Sequence, residues 1–187
     1  MKTTHSLEEI RQIQQEAELI CDQDMIEQAL TDMAVAITQN LHDRNPLCLS
    51  LLTGGIIPTG LLLTQLDFPL QLDSIQATRY RGNTQGEKLH WKKYPDMDIK
   101  NRTLLIIDDI LDEGITMQAV VEYCEQAGAQ QVYTAVLVDK ENARAPDGLP
   151  AADFTGLKIP NRYVFGFGLD YHHYLRNAAG IYAVKGL

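Results

Sequence analysis

The sequence predicts an α/β fold, a central and mostly parallel sheet with flanking helices. Three observations predict it. Two aliphatic runs, at residues 46–52 and 103–107, are of the kind that lies inside a sheet. Each is followed by a glycine-containing turn and then a helical pattern. Each of those helices leads into another strand-like stretch, and a repeated strand, crossover helix and strand implies parallel pairing with helices covering both faces.

Taken in order, Ser6 with Glu9 forms a capping-box pattern that opens a helix over residues 6–20, with Ile10, Ile13, Ala17 and Ile20 as its apolar positions. A second helix is predicted over 25–41, with Leu30, Met33, Ala34 and Ile37 on one face. Residues 46–52 read as a buried strand, Thr53-Gly54-Gly55 as a tight turn, and 58–66 as a helix with Pro58 at its start. The chain returns as a strand over 70–80, which completes one βαβ unit. Residues 81–88 are polar and rich in Gly, and a short strand follows at 89–94; together 79–94 predict a mobile hairpin or lid. The second unit comprises a strand over 102–108, a helix over 116–126 with Val120, Val121 and Cys124 inward and Gly128 as its stop, and a strand over 132–138. Residues 148–187 carry more aromatics and Pro, and are expected to form short strands and turns capping the sheet.

A chain of 187 residues suits one well-buried core, so residues 1–187 are expected to form a single domain with a small appendage. Its net charge of -9 speaks against a surface that tracks nucleic-acid phosphates. A small anionic ligand remains compatible, since local donors and a bound cation override the global sign. Cys21, Cys48 and Cys124 have no paired spacing and read as buried thiols in a reducing compartment. No run approaches the roughly twenty apolar residues that span a bilayer, and the N-terminus lacks the apolar core of a signal peptide. A cytoplasmic protein with no membrane contact is expected.

Parallel sheets bind ligands beyond the carboxyl ends of their strands. Asp108 and Asp109 fall at such an end, and Asp112-Glu113-Gly114-Ile115-Thr116 leads from there into a helix. The backbone N–H groups and the dipole of that helix favour an anion; Gly114 permits close approach and Thr116 adds a hydroxyl donor. Carboxylates beside a phosphate repel it unless Mg²⁺ or sugar hydroxyls intervene. A phosphorylated sugar bound with metal satisfies both halves of the run. Taken as isolated acids, Asp108 and Asp109 could equally end a strand and Asp112 cap a helix.

The whole run, Leu-Leu-Ile-Ile-Asp-Asp-Ile-Leu-Asp-Glu-Gly-Ile-Thr at 104–116, resembles the phosphoribosyl diphosphate (PRPP) signature of the type I phosphoribosyltransferases. The tail at 159–176, Ile-Pro-Asn-Arg-Tyr-Val-Phe-Gly-Phe-Gly-Leu-Asp-Tyr-His-His-Tyr-Leu-Arg, resembles the purine-binding hood of the hypoxanthine-guanine members. With residues 51–55 and 137–140, the likeness extends over most of 46–176.

The resemblance implies transfer of a 5-phosphoribosyl group from PRPP to N9 of a 6-oxopurine, with release of pyrophosphate and Mg²⁺ as cofactor. It implies that Asp108 and Asp109 hold the ribose hydroxyls directly or through Mg²⁺, that Asp112 takes the proton of purine N7, and that 112–116 bind the 5-phosphate. Lys140 is implied to donate to purine O6, Tyr163 to stack on the ring, the Val164 carbonyl to accept from a 2-amino group, and Asp170, counted with the purine site, to reach a second, pyrophosphate-bound Mg²⁺. Thr53, Gly54 and Arg176 are implied in pyrophosphate binding, with a cis peptide before Thr53. Family members are often dimers or tetramers, so a homodimer or homotetramer is expected, with the helices of 1–41 contributing to the hood or an interface.

Three departures stand out. Thr53 replaces a residue that is basic in many members, leaving N–H groups and a hydroxyl as donors. Glu113 stands where Thr or Ser is common, and is expected to turn its carboxylate to solvent. Arg79-Tyr80-Arg81 takes the place of the family's Ser-Tyr lid; the two arginines suit phosphates, and they equally suit a basic hairpin edge that discourages aggregation. Tyr171, Tyr174 and Leu175 are expected in the core of the hood, and His172 and His173 at its surface or in packing. A PRPP-responsive regulator on the same fold is a second reading, opposed by the acidic balance and by Asp112. A phosphohydrolase or kinase that uses the Asp pair for metal is a third, and the sequence has neither a Gly-x-x-x-x-Gly-Lys-Ser/Thr loop nor an aspartyl nucleophile pattern.

Overall fold

The computed structural model describes residues 5–79 and 89–186. Its main sheet has six strands in the order β4-β3-β2-β5-β6-β7, comprising β2 (Leu47–Leu51), β3 (Gln71–Arg79), β4 (Leu89–Lys93), β5 (Thr103–Leu111), β6 (Gln131–Lys140) and β7 (Phe154–Ile159). All neighbours are parallel except the β3–β4 hairpin. Residues of β5 alternate between two cores, which is why its sequence is aliphatic without interruption. Leu105 and Ile107 face α2 (Gln23–Leu41) and α3 (Ile56–Leu63), through Ile26, Leu30, Met33, Ile37 and Leu62. Leu104 and Ile106 face α4 (Ile115–Gln126), through Met117, Val120 and Cys124.

The N-terminal segment differs from expectation. Ser6 and Glu9 do form the capping box of α1, but that helix covers only Leu7–Glu16. Residues Glu18–Cys21, the first three of them expected to continue it, form β1 instead and pair antiparallel with β9 (Ile181–Ala183), which in turn pairs with β8 (Val164–Phe165). Backbone pairing with a remote strand outweighs the local helical pattern here. This second sheet, with α1 over it, packs around Phe165, Ala178 and Val184.

Two further elements depart from their expected positions. Within 148–187, β7 does not cap the sheet but extends it as an edge strand parallel to β6. Asp153 anchors its start, accepting from both Thr134 N and Oγ1 at 2.8 Å. Strand β5 runs past its expected end at Asp108 to Leu111, because β6 supplies ladder partners as far as Asp139. Tyr80 and Arg81 of the expected lid lie outside the described residues, and Arg79 ends β3. The three cysteines are buried and free; burial pushes the Cys48 and Cys124 thiols up to about 12. No helix among the described residues is long and apolar enough to cross a membrane.

Candidate active site

From β2 the chain crosses to β3 on one side, whereas β5, β6 and β7 succeed one another on the other side. The carboxyl ends of β2 and β5 therefore flank a topological switch point, where open α/β sheets place their ligands. A crevice of about 340 Å³ lies there. Into it converge Gly54 after β2, the acids of β5, the loop 112–116, Lys140 at the end of β6, and Tyr163, Val164, Asp170 and Arg176 from the second sheet and the turn that follows it.

The loop between β5 and α4 curls around Gly114, whose φ of 80° is left-handed. A Cβ there would also lie 2.6 Å from Leu149 O, so both conformation and space require glycine. Helix α4 has no side chain capping its first turn, which leaves N–H groups open at the crevice. Asp112, Glu113, Gly114, Ile115 and Thr116 all line it. Glu113 does not turn to solvent as expected: it is half-buried on the crevice wall, with one carboxylate oxygen buried.

Asp108 and Asp109 sit side by side, and the Asp109 N–H donates to Asp108 Oδ1 at 2.9 Å. Burial, and then the charge of Asp109, push the Asp108 carboxyl well above the usual carboxylate range. Burial raises Asp109 as well, opposed by its hydrogen bond with Asp108 and by the Arg176 guanidinium, which stands 3.6 Å away. Alternation along β5 turns Asp109 toward the β2 loop, where Gly54 makes room for it. A Cβ on Gly54 would lie 2.0 Å from Asp109 Oδ2. Two crowded carboxylates with one cation facing them suit a divalent ion. Among the described residues no three His, Cys, Asp or Glu side chains gather at a metal site. An ion at Asp108 and Asp109 would therefore complete its shell with ligand oxygens and water, the usual habit of Mg²⁺.

Lys140 is buried, and its Nζ donates to Asp112 Oδ2 at 3.1 Å. The two groups expected to face the base thus form an ion pair. Asp170 is engaged on both oxygens, by the Arg176 guanidinium and by the His173 N–H at 2.7 Å. It holds Arg176, which also donates to Gly168 O, at the crevice. Tyr163 is 39 % exposed at the rim, edge-on to Tyr171 and stacked over His172, and Val164 is buried beneath it. Thr53, after a cis Leu52–Thr53 peptide, has an exposed side chain and does not line the crevice, whereas Gly54 does. Tyr174 is exposed rather than core, while Tyr171 and Leu175 pack against Phe165. His173 points to solvent, and the ring of His172 meets that of His5 at a tilt, with centroids 4.2 Å apart.

Sequence reasoning missed two residues. Gly168 has φ 109°, and a Cβ there would meet Gly54 O at 2.6 Å, so it lets the turn after β8 close against the β2 loop. The Gly-Phe-Gly spelling carried a hint of this. Arg144 carried none, being one basic residue in a polar loop. Its guanidinium donates to Leu111 O at 2.8 Å, to Asp112 O and to Lys140 O at 3.3 Å, and it pairs with Asp139.

Fold and crevice together define an α/β protein with a glycine-turned loop that opens a helix and an acidic pair at one switch point. Residues 17–172 match the phosphoribosyl transferase domain family, and the chain belongs to that family. Within it, the chain is similar to the hypoxanthine-guanine phosphoribosyltransferase of Staphylococcus epidermidis, 31% identical over 89% of this chain and 92% of that one. It is also similar to the hypoxanthine-guanine-xanthine phosphoribosyltransferase of Tritrichomonas foetus, 29% identical over 89% of this chain and 91% of that one. A crystal structure of a hypoxanthine phosphoribosyltransferase from Staphylococcus aureus superposes with a TM-score of 0.84 at 27% identity, covering 90% of this chain and 91% of that one.

Proposed function

We propose that this protein transfers the 5-phosphoribosyl group of PRPP to N9 of hypoxanthine or guanine, giving IMP or GMP and pyrophosphate. The observation that carries this reading is the placing of the Lys140–Asp112 pair in the same crevice as the loop 112–116 that leads into α4. A 6-oxopurine with a proton on N7 presents an acceptor and a donor side by side. Lys140 Nζ has three donors, so it can serve Asp112 and purine O6 together. The Asp112 carboxylate accepts the N7 proton as N9 bonds to C1′. The C1′–oxygen bond breaks at the same carbon, and its electron pair leaves with pyrophosphate. Adenine places an N–H donor against Lys140, leaving buried donors unpaired.

The remaining roles follow from charge. The N–H groups of 112–116 and the Thr116 hydroxyl hold the 5-phosphate, and Asp108 and Asp109 hold the ribose hydroxyls. Arg176 and the Gly54 backbone face pyrophosphate, and Tyr163 covers one face of the base. Asp108 and Asp109 would hold a Mg²⁺ ion, which would supply neutralisation of the charge on the leaving group. The working form we infer is a homodimer or homotetramer, a reading that the exposed Ile56 and Leu61 of α3 support.

Incubation with PRPP, Mg²⁺ and each of hypoxanthine, guanine, xanthine and adenine, following nucleotide formation, tests the reading. Product from hypoxanthine and guanine is expected. Product from xanthine as well would align the protein with its Tritrichomonas relative. Product from adenine alone would refute the role of Lys140, and PRPP binding with no product from any base would point to a regulator.

A further inference from the structure

We propose that Arg144 and the segment it leads, residues 144–149, form a clamp that orients the phosphate-binding peptides by holding their carbonyl oxygens from behind. This rests on the function proposed above and names what sets its phosphate site. Four consecutive carbonyls are held. Arg144 Nη1 donates to Leu111 O at 2.8 Å and to Asp112 O; Ala145 N donates to Glu113 O at 3.0 Å; Leu149 N donates to Gly114 O at 3.1 Å. In a trans peptide the C=O of one residue and the N–H of the next point in opposite directions. Fixing the carbonyls of 111–114 on the clamp side therefore sends the N–H groups of 112–115 the other way, and all four of those residues line the crevice.

The clamp fits closely. A Cβ on Gly148 would lie 1.9 Å from Glu113 O, and one on Gly114 would lie 2.6 Å from Leu149 O. Arg144 is itself fixed by Asp139, the residue before Lys140, and its Nε donates to Pro150 O at 3.3 Å. One guanidinium thus ties the end of β6 to the carbonyls at the start of the loop. A lysine could supply the charge but not the fork that reaches two carbonyls and a carboxylate together. Arg144 makes no contact with substrate in this account; it is a positioning residue.

The test compares wild type, Arg144→Ala, Arg144→Lys and Gly148→Ala by steady-state kinetics in PRPP and in hypoxanthine, and by calorimetric titration with ribose 5-phosphate, which needs no turnover. Losing charge-assisted bonds that orient the N–H groups should weaken ribose 5-phosphate binding and raise KM for PRPP by roughly tenfold to a hundredfold in Arg144→Ala. The KM for hypoxanthine should change by less than about threefold, since no base contact is removed. Arg144→Lys should recover part of the loss, and Gly148→Ala should reproduce the phosphate defect without touching any charge. Should Arg144→Ala fail to fold, the lysine and Gly148 variants decide the matter alone. Folded variants that bind ribose 5-phosphate like wild type, or a loss spread equally over both substrates, would overturn the clamp. A wild type that binds ribose 5-phosphate yet forms no nucleotide would overturn the proposed reaction and leave the clamp standing on its binding result.

Discussion

Gly54→Ala isolates a single contact. The added Cβ would lie 2.0 Å from Asp109 Oδ2, 2.3 Å from its Cγ and 2.5 Å from Oδ1, whereas ordinary contact starts at 3.4 Å. No flexible tail is available to yield. Asp109 is buried at the end of β5 with Arg176 in front of it, and on the other side Gly168 already packs against Gly54 O. The carboxylate has to swing aside by more than an ångström, and displacements of that size in a positioned group cost about a hundredfold in rate. Overpacking should cost ~1–3 kcal/mol of stability. For a domain of this size that corresponds to a fall in Tm of roughly 2–12 °C. Steady-state nucleotide formation and thermal unfolding of the ligand-free protein measure both. A variant with kcat/KM within about threefold of wild type and an unshifted Tm would show that Asp109 relaxes freely, and the rate argument from crowding at Asp109 would fall with it.

Three other substitutions probe the charges. Asp108→Asn should raise Tm in metal-free buffer at pH 8. The folded carboxyl sits above its ordinary value because of burial and the Asp109 charge, so its ionised form costs stability above that raised value. The cost is relieved as pH falls toward the ordinary range, and the gain from Asn should vanish near pH 4; a gain independent of pH between about 4 and 8 would contradict the assignment. Asp112→Asn should lower kcat by roughly a hundredfold or more while PRPP binding stays near wild type, and unchanged turnover would remove it from proton transfer. Lys140→Met leaves a carboxylate that is 47 % exposed, so stability should fall by no more than about 1 kcal/mol. Its preference for hypoxanthine over adenine, measured as a ratio of kcat/KM, should shrink by roughly a hundredfold, and an intact preference would show that Lys140 does not read the 6-position.

Much of the site was legible because it is local. The loop 112–116 is continuous in sequence, and its glycine, its helix start and its acids each have a conformational meaning within a few residues. The same holds for the Ser6–Glu9 box and for Gly54, whose turn and close approach are written in the dipeptide Gly-Gly. Glu113 was misjudged for the opposite reason: whether a side chain on that loop faces solvent depends on the wall that 144–149 build behind it.

By itself, the sequence determined the strand–helix rhythm, the doubly covered β5 and the chemistry at its end, since each depends on side-chain pattern and backbone preference over short spans. Only the tertiary structure decided that Glu18–Cys21 would pair with Ile181–Ala183, that β7 would extend the main sheet, and that Arg144 would sit behind the loop 112–116. These join residues far apart in the chain through backbone N–H and C=O groups, which every residue carries alike. Which of those groups meet is settled by how the layers pack, and no residue type records it beforehand.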